Sequence, residues 1–300
     1  MNRKLTAIAA STALLLGLAA CSSDDATPAA GGTSGGSSAP ATVRIGVVGS
    51  QDEQWPIFEE KAKAAGIDVE IVNFSEYSLP NPALSEGQIE LNQFQHIQYL
   101  ADYNVNADDD LVAIGATAIY PLALYSKKHA TLADIPEGAE IAVPNDQTNL
   151  NRALFVLQSA GLVELEGGGT LTSTELDVLP SSKVKVTPVS AEQTAVSLES
   201  LDGAVVNNDF VLDAGLDPKA ALAQDDPASP AAQPYINVWA ARAEDKDNAT
   251  YLKLVEIFQD PEVTDALQNQ SKGTAVLRTD DAAALASILK ATEDNIRAGK

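Results

Sequence analysis

Short apolar runs and amphipathic helical patterns take turns along this chain from Val43 onward. Residues 43–48 are typical of a buried strand, residues 54–65 have helical composition, and residues 69–74 alternate like a second strand. The same succession continues for about 250 residues. Because strands that alternate with helices pair mostly in parallel, the pattern predicts an α/β protein whose sheets are covered by helices on both faces.

Two polar stretches divide this α/β pattern, one beginning at Ser126 and the other ending at Pro234. A length of 300 residues favours two domains, at about 150 residues each. We therefore expect two lobes joined by two crossings: a discontinuous lobe I of residues 42–125 and 234–300, and a lobe II of residues 126–233. Ligands of open α/β sheets bind at the carboxyl ends of strands, so the cleft between the lobes is the expected site.

The first 20 residues have the features of a secretory signal peptide. Arg3 and Lys4 form a positive start, and the apolar residues 7–18 are too few for a transmembrane helix, which needs about 20. The segment then reads Leu-Ala-Ala-Cys, which resembles a bacterial lipobox, and Cys21 is the only cysteine of the chain. We predict cleavage before Cys21 and lipid attachment to its thiol. An ordinary signal peptide followed by an incidental cysteine is the alternative.

Residues 22–41 contain Ser, Gly, Ala and Pro but no large apolar residue. Such a segment cannot bury a core, and we expect a flexible tether between the lipid and the lobes. More than one acyl chain on Cys21 would give stable attachment to a membrane. This organisation predicts a lipid-anchored protein on the extracytoplasmic face of the cell membrane.

A net charge of −23, which becomes −25 once Arg3 and Lys4 are removed, argues against several functions. Such a chain repels nucleic-acid phosphates and, without its lipid, an anionic membrane surface. One cysteine and two histidines exclude an intramolecular disulfide and a structural Cys/His zinc site. Cofactor-binding loop motifs are absent, and serine catalysis would be possible only through His96. We therefore predict a protein without a metal, a cofactor or an enzymatic activity.

Arg152 lies in the first turn of a helix predicted in lobe II. Thr148 or Asn149 is expected to cap this helix, and the apolar spacing places one face on the core through Leu150, Leu154 and Leu157. Arg152 points away from that face, at a position where the helix dipole disfavours a cation. A bound anion would offset this cost, because free backbone N–H groups and the guanidinium would converge on it. An exposed, solvated arginine is the alternative.

Four side chains near predicted strand ends could form an apolar box in a chain with only 5% aromatic residues. A strand is predicted over residues 89–94 and a helix from His96. The candidate residues of the box are Tyr77, Phe94, His96 and Tyr120. A thioether would suit such a box, because sulfur packs well against aromatic rings. Ordinary core packing, with the histidine in a local hydrogen bond, is the alternative.

Two asparagines occupy positions where this residue is unusual. Asn207 follows a predicted strand over residues 204–206, and Asn237 lies within the apolar run 235–240. Asparagine is depleted in strands, and a buried one needs hydrogen-bond partners. Its amide can bind both the amine and the carboxylate of an amino acid. A turn residue for Asn207 and an edge position for Asn237 are the alternatives.

At these residues the chain resembles the methionine-binding lipoproteins of the NlpA/MetQ type, which are substrate-binding subunits of ABC importers. The resemblance runs from about Val43 into the final helices, and the lipobox at Cys21 agrees with it independently. The matching stretches are NFSEYSLPNPAL (73–84), NQFQHIQYL (92–100), YPLALYSKK (120–128), IAVPNDQTNLNRALFVLQSAGL (141–162), AVVNNDF (204–210) and PYINV (234–238).

The resemblance implies a two-lobed, periplasmic-binding-protein-like fold of type II. It also implies capture of L-methionine or a close analogue by hinge closure, for delivery to a permease and its ATPase. By position, Arg152 would bind the ligand carboxylate, with Asn149 beside it, and Asn207 and Asn237 would hold the amino and carboxylate groups. The side chains implied around the thioether are Tyr77, Phe94, His96 and Tyr120.

The chain departs from the family pattern at Gln147, Asn151 and Asn208-Asp209. Because these residues flank matched positions, the stereoisomer of methionine, another small apolar amino acid and a methionyl dipeptide stay open as ligands. A surface adhesion or signalling lipoprotein is a further alternative, and it would show a large exposed apolar patch outside the cleft. An enzyme on the same two-lobed scaffold is the last alternative.

Overall fold

A computed structural model describes residues 42–299 of the chain. The predicted signal peptide of residues 1–20, the lipidation site at Cys21 and the tether of residues 22–41 lie outside the described residues. The described part contains two five-stranded sheets, a two-stranded ribbon and the helices around them. Within this range, every helix is too short or too polar to cross a membrane.

Strands and helices alternate along the described residues, as the sequence pattern predicts. The strands are β1 (Val43–Val47), β2 (Val69–Asn73), β3 (Leu91–His96), β4 (Val112–Ala116), β5 (Ala118–Ile119), β6 (Ala123–Tyr125), β7 (Ala139–Pro144), β8 (Val184–Val189), β9 (Gly203–Val206), β10 (Ala223–Gln224), β11 (Asn237–Ala241) and β12 (Val276–Leu277). The helices are α1 (Gln54–Ala64), α2 (Pro80–Ser85), α3 (Ile97–Ala107), α4 (Gln147–Ser159), α5 (Ala191–Ser197), α6 (Ala249–Phe258), α7 (Pro261–Gln270) and α8 (Ala282–Arg297).

The first sheet has the strand order β2-β1-β3-β11-β4. β1 pairs in parallel with β2 and β3, whereas β11 lies antiparallel between β3 and β4. Alternate residues of β11 face opposite layers of helices. Trp239 packs in the layer of α1, α6 and α7, and Val238 packs in the layer of α2, α3 and α8. The sheet is therefore covered on both faces, with β11 returning from late in the chain to complete it.

The core between this sheet and α1, α6 and α7 is built on four aromatic rings, which we call the core aromatic cluster. Its members are Trp55, Phe58, Trp239 and Phe258. Their ring centroids lie 5.4–6.3 Å apart in edge-to-face and tilted arrangements, the geometry that aromatic quadrupoles favour. No ring of the four is more than 2% exposed, so the cluster acts as a sealed apolar core.

The second sheet has the strand order β10-β6-β9-β7-β8. β7 pairs in parallel with β8 and β9, and β6 pairs antiparallel with β9 and β10. Helix α4 covers one face through the leucines at 150, 154 and 157, as its apolar spacing predicts. α5 covers the other face through Ala195. The predicted fold class, α/β with sheets flanked by helices, is confirmed.

Strand pairing departs from the predicted lobe limits at β6. Lobe I was expected to extend to residue 125, because the polar run begins at Ser126. The structure instead pairs Ala123–Tyr125 with β9 and β10 of the second sheet. These three residues are apolar and buried, so the chain enters the second sheet before its composition becomes polar. The other lobe limits stay a prediction.

Three local elements also differ from the sequence-based expectations. β3 runs over residues 91–96 instead of 89–94, because its register follows the pairing with β1 and β11. α4 begins at Gln147, and its N-cap is Asp146 rather than Thr148 or Asn149. The Asp146 carboxylate accepts the Asn149 backbone N–H at 2.9 Å. The sequence pattern does not predict α2, which is a single short helix with Pro80 in its first turn.

Candidate functional site

The structure brings the eight candidate residues together around one cavity. The β3–β11 register places Asn237 directly opposite His96, at the carboxyl end of β3. Asn207 follows β9 and Asn149 lies in the first turn of α4, whereas Arg152, which the sequence pattern places in the first turn, is the sixth residue of α4 and lies in its second turn. The cavity therefore lies at the carboxyl ends of strands from both sheets, as expected for an α/β binding site. The predicted residues in its lining are Tyr77, Phe94, His96, Tyr120, Asn149, Arg152, Asn207 and Asn237.

Arg152 is buried, with only 6% of its side chain exposed. Its Nε donates to Asp225 Oδ2 at 2.6 Å, and its Nη2 donates to the Tyr120 carbonyl oxygen at 2.8 Å. The guanidinium carbon lies 4.1 Å from the ring centre of Tyr235, a cation–π contact. Nη1 makes no hydrogen bond to any residue in the range 42–299. The guanidinium is thus rigidly held with one amino group uncommitted, and the alternative of a solvated arginine is wrong.

Asn149 connects the start of α4 to both sheets. Its amide nitrogen donates to the two carboxylate oxygens of Asp146, each at 3.1 Å. Its Oδ1 lies 3.2 Å from His96 Nε2 and accepts from Asn207 Nδ2 at 3.1 Å. Because the amide is bound at both ends, its orientation is determined by the network.

His96 is held in one neutral tautomer. Its Nδ1 accepts the backbone N–H of Tyr99 at 3.1 Å, so the proton is on Nε2, which faces Asn149 Oδ1. Burial, together with the nearby Arg152 charge, lowers the pKa of His96 to about 3. The ring is therefore uncharged at neutral pH, and both of its nitrogens are engaged in hydrogen bonds. This arrangement does not suit a general base for serine catalysis.

An aromatic wall, which we call the cavity aromatic cluster, forms one side of the cavity. It consists of Tyr77, Phe94 and Tyr99, which line the cavity, and of Phe210, which packs on Tyr77 without lining the cavity. The ring centroids lie 5.3–6.1 Å apart. The Tyr77 hydroxyl donates to Asp209 Oδ2 at 2.6 Å. Tyr120 contributes to the cavity separately, through a partly buried ring and through the carbonyl that accepts from Arg152.

Hydrogen-bonding capacity is left over at the two asparagines. Within the part of the chain that the structure describes, Asn207 Oδ1 is buried without a hydrogen-bond partner. Asn237 Nδ2 has only a long contact of 3.5 Å with the Tyr235 carbonyl. A buried amide oxygen without a donor is costly, by about 1–3 kcal/mol. The site is therefore complementary to a ligand that brings an N–H donor to Asn207.

Sequence reasoning missed four residues of the site: Tyr99, Asp209, Asp225 and Tyr235. Three of them were inside the matched stretches, but neither spacing nor strand position singled them out. Asp225 lies in the polar run that the sequence assigned to a crossing. Its role depends on a contact between residues that are 73 positions apart, and no local pattern predicts such a contact.

The side chains that line the cavity, all within residues 42–299, are mostly uncharged. Within that range His, Asp and Glu side chains do not gather in threes around a point that could hold an ion. The charged groups lining the cavity are Arg152 and Asp209. Amide groups and aromatic rings make up most of the remaining wall. Such a lining is suited to holding a small polar molecule with an apolar side chain.

Two mixed sheets with a polar and aromatic cavity at their strand ends define a binding protein of the two-lobed periplasmic type. The family model described as NlpA lipoprotein matches residues 43–278. The chain belongs to this family.

Named relatives and solved structures agree with the family. The D-methionine-binding lipoprotein MetQ of Yersinia pestis is 39% identical over 244 residues, which cover 79% of this chain and 89% of that protein. The substrate-binding protein of a methionine transporter from Streptococcus pneumoniae has a TM-score of 0.73 and 36% identity, covering 79% of this chain and 95% of that one. A nutrient-binding protein from Burkholderia cenocepacia, solved bound to methionine, has a TM-score of 0.72 and 37% identity, covering 78% and 99%.

Proposed function

We propose that this protein is the lipid-anchored substrate-binding subunit of an ABC importer and that it captures methionine in the cavity around Arg152. The observation that carries the proposal is the buried Arg152 guanidinium, which shares one cavity with an aromatic wall and with an unpartnered amide oxygen. The names of the relatives, which specify methionine, support the same ligand.

The carboxylate of the ligand binds at the start of α4. Arg152 Nη1 is the uncommitted donor there. Asp225 and Tyr120 keep the guanidinium in place. A charge-assisted hydrogen bond of this kind contributes about 1.5–3 kcal/mol before entropic costs.

The ammonium group of the ligand binds at the asparagines. Asn207 Oδ1 is a buried acceptor without a donor, and an ammonium group supplies three N–H donors. Asn237, opposite His96 on the neighbouring strand, is placed to bind the same backbone atoms of the amino acid. A ligand N–H that donates to Asn207 Oδ1 offsets the desolvation cost of that buried oxygen.

The thioether side chain lies against the cavity aromatic cluster. Methionine is unbranched, and its sulfur makes favourable contacts with aromatic rings. Burial of such a side chain contributes about 1.5–3 kcal/mol. His96 suits the wall around the thioether because its neutral ring places no charge beside the apolar end of the ligand. Together with the polar contacts, these contributions favour affinities in the micromolar to nanomolar range.

Capture proceeds by closure of two lobes, one around each sheet, with limits near residues 42–122 plus 234–300 and 123–233. The bond from His96 to Asn149 and the bond from Tyr77 to Asp209 connect segments that belong to different sheets. Ligand bound to both sides stabilises these contacts and shifts the population toward the closed form.

Delivery takes place at the membrane. The lipid on Cys21 and the tether of residues 22–41 hold the protein on the extracytoplasmic face, close to a permease and its ATPase. Tethering raises the effective concentration of the loaded protein at the permease.

Calorimetry on the full mature chain in detergent tests the proposal, after unfolding and refolding to remove copurified ligand. L-methionine, D-methionine, other apolar amino acids and methionyl dipeptides are compared in parallel. The expected result is saturable binding of a methionine stereoisomer with a Kd below about 10 μM. Tighter binding of a different amino acid would redirect the assignment, and binding of none of them would contradict it.

The variant Arg152→Ala should weaken methionine binding about a hundredfold or more, because it removes the carboxylate partner and leaves a charged group of the ligand buried. Arg278→Ala is the matched control, since Arg278 pairs with Asp280 outside the cavity. If Arg152→Ala binds methionine with nearly the wild-type affinity and has an unchanged circular dichroism spectrum, the proposed carboxylate site is wrong.

A further inference from the structure

Asp209 places a carboxyl group in the wall of the ligand cavity. It lies in the turn after β9 and is partly buried. Its Oδ2 accepts from the Tyr77 hydroxyl at 2.6 Å, and its Oδ1 accepts from Asn208 Nδ2 at 2.8 Å. Tyr77 follows β2, so this bond joins segments that belong to the two different sheets.

The residue after Asp209 contacts the same tyrosine. The Phe210 ring centroid lies 5.3 Å from that of Tyr77, and the opposite side of Tyr77 packs on Phe94 and Tyr99. Consecutive residues therefore hold Tyr77 by its hydroxyl and by its ring. The orientation of a main ring of the ligand box depends on a contact from the second sheet.

We propose that Asp209 is a positioning residue for Tyr77 and that proton uptake by its carboxyl group favours the closed, ligand-bound form. The inference rests on the proposed function, because closure around a ligand is what brings Asp209 against Tyr77. In the open form the carboxyl group faces water and has its ordinary acidity.

The surroundings of Asp209 favour the protonated form. Burial raises the pKa of its carboxyl to about 7, and the like charges of Asp52 and Asp213 act in the same direction. The Tyr77 hydroxyl opposes the shift by donating a hydrogen bond. The other charged or titratable groups around the cavity cluster and its packed elements are Arg152, Asp146, Asp102, Glu76, Tyr99, Tyr120 and His96. Arg152 is committed to Asp225, and His96 stays neutral, so neither replaces the proton on Asp209.

The sign of the effect follows from linkage. Because the pKa of Asp209 is higher in the closed form than in water, the closed form binds a proton that the open form does not. Methionine affinity should therefore rise as the pH falls from 8 to 6, by about tenfold for one proton and a pKa near 7.

The experiment compares the Kd for methionine at pH 6, 7 and 8 in wild type, Asp209→Asn and Asp209→Ala, all as full mature chains in detergent. Asparagine keeps an oxygen that accepts from the Tyr77 hydroxyl but cannot ionise. We expect the affinity of Asp209→Asn to be the same at all three pH values and at least as high as that of wild type at pH 6, because the neutral side chain needs no proton in order to close. Asp209→Ala should bind more weakly than Asp209→Asn at every pH, because Tyr77 loses its acceptor.

Asp52→Asn is the control for other titrating groups, since burial raises the pKa of Asp52 to about 6. This variant removes a like charge near Asp209 and should move the midpoint of the wild-type profile to lower pH without abolishing the slope. A slope that persists in Asp209→Asn, or equal affinities of Asp209→Ala and Asp209→Asn, would overturn the proposal while leaving methionine binding intact. Absence of methionine binding by wild type at all three pH values would overturn the proposed function as well.

Discussion

The core aromatic cluster and the cavity aromatic cluster have nearly the same ring geometry but different surroundings. Centroid separations are 5.4–6.3 Å in the core and 5.3–6.1 Å at the cavity. The first sheet and helices α1, α6 and α7 enclose the core cluster, whereas the cavity cluster has one side facing the cavity. The same packing chemistry therefore stabilises the fold in one place and leaves a surface for a ligand in the other.

The polar neighbours of the clusters differ in the same sense. The core cluster sits among aliphatic side chains such as Ile45 and Leu91. The cavity cluster is bordered by Asp209, by His96 and by the asparagines of the site. Among the described residues, the Nε1 groups of Trp55 and Trp239 in the core cluster are also buried without a partner, but only the polar groups of the cavity face a space that a ligand can enter.

The largest effect should come from the core. Phe58→Ala removes a fully buried ring from α1, and the free energy of unfolding should fall by about 3–5 kcal/mol. Denaturant titration followed by circular dichroism measures this loss. Methionine affinity of the folded fraction should change little. A decrease in the free energy of unfolding of less than about 1 kcal/mol would contradict the description of the core cluster as a sealed apolar core.

The next effect should come from the cavity. Phe94→Ala should weaken methionine binding about tenfold to a hundredfold, because burial against the ring contributes about 1.5–3 kcal/mol. Its cost in unfolding free energy should be smaller than that of Phe58→Ala, since one side of the cluster already faces the cavity. Calorimetry and denaturant titration on the same preparation test both parts. If Phe94→Ala lowered the free energy of unfolding more than Phe58→Ala, the proposed difference between the cavity cluster and the core cluster would be wrong.

The pH dependence of stability should also distinguish the two clusters, because His96 borders the cavity cluster and its pKa is strongly shifted. The pKa of His96 is lowered to about 3 in the folded protein, whereas the unfolded chain takes up the proton near pH 6.5. This residue therefore destabilises the fold as the pH falls from 6.5 toward 3, by about 1.4 kcal/mol per pH unit. His96→Gln should remove this contribution, measured as a difference in the slope of unfolding free energy against pH. Equal slopes in the two proteins would contradict the lowered pKa of His96 in the folded protein.

The smallest effect should come from Tyr99→Phe. This variant keeps the ring that packs on Phe94 and removes only the hydroxyl. We expect methionine affinity to change by less than about threefold, equivalent to roughly 0.6 kcal/mol. A larger loss, seen by the same calorimetry, would show that the hydroxyl contacts the ligand and that the cavity cluster is more than an apolar wall.

Much of the fold and of the site could be predicted from local patterns. The face of α4 that bears Leu150 packs on the second sheet as the spacing predicts, and all eight candidate residues line the cavity. The start of α4 was misplaced, because Asp146 outcompetes Thr148 and Asn149 as the N-cap. Cap choice depends on which side chain the neighbouring groups leave free, and Asn149 is committed to His96 and Asn207.

The sequence by itself determined the α/β class, the face of each main helix that is buried and the residue types available for a ligand, because these follow from periodicity and composition within short windows. Only the tertiary structure decided that Asp225 holds Arg152, that Asp209 reaches Tyr77 and that β6 belongs to the second sheet. These contacts join residues that are more than 70 positions apart in the sequence. Their formation depends on how whole sheets and helices pack, and the free energy of that packing is not contained in any local pattern.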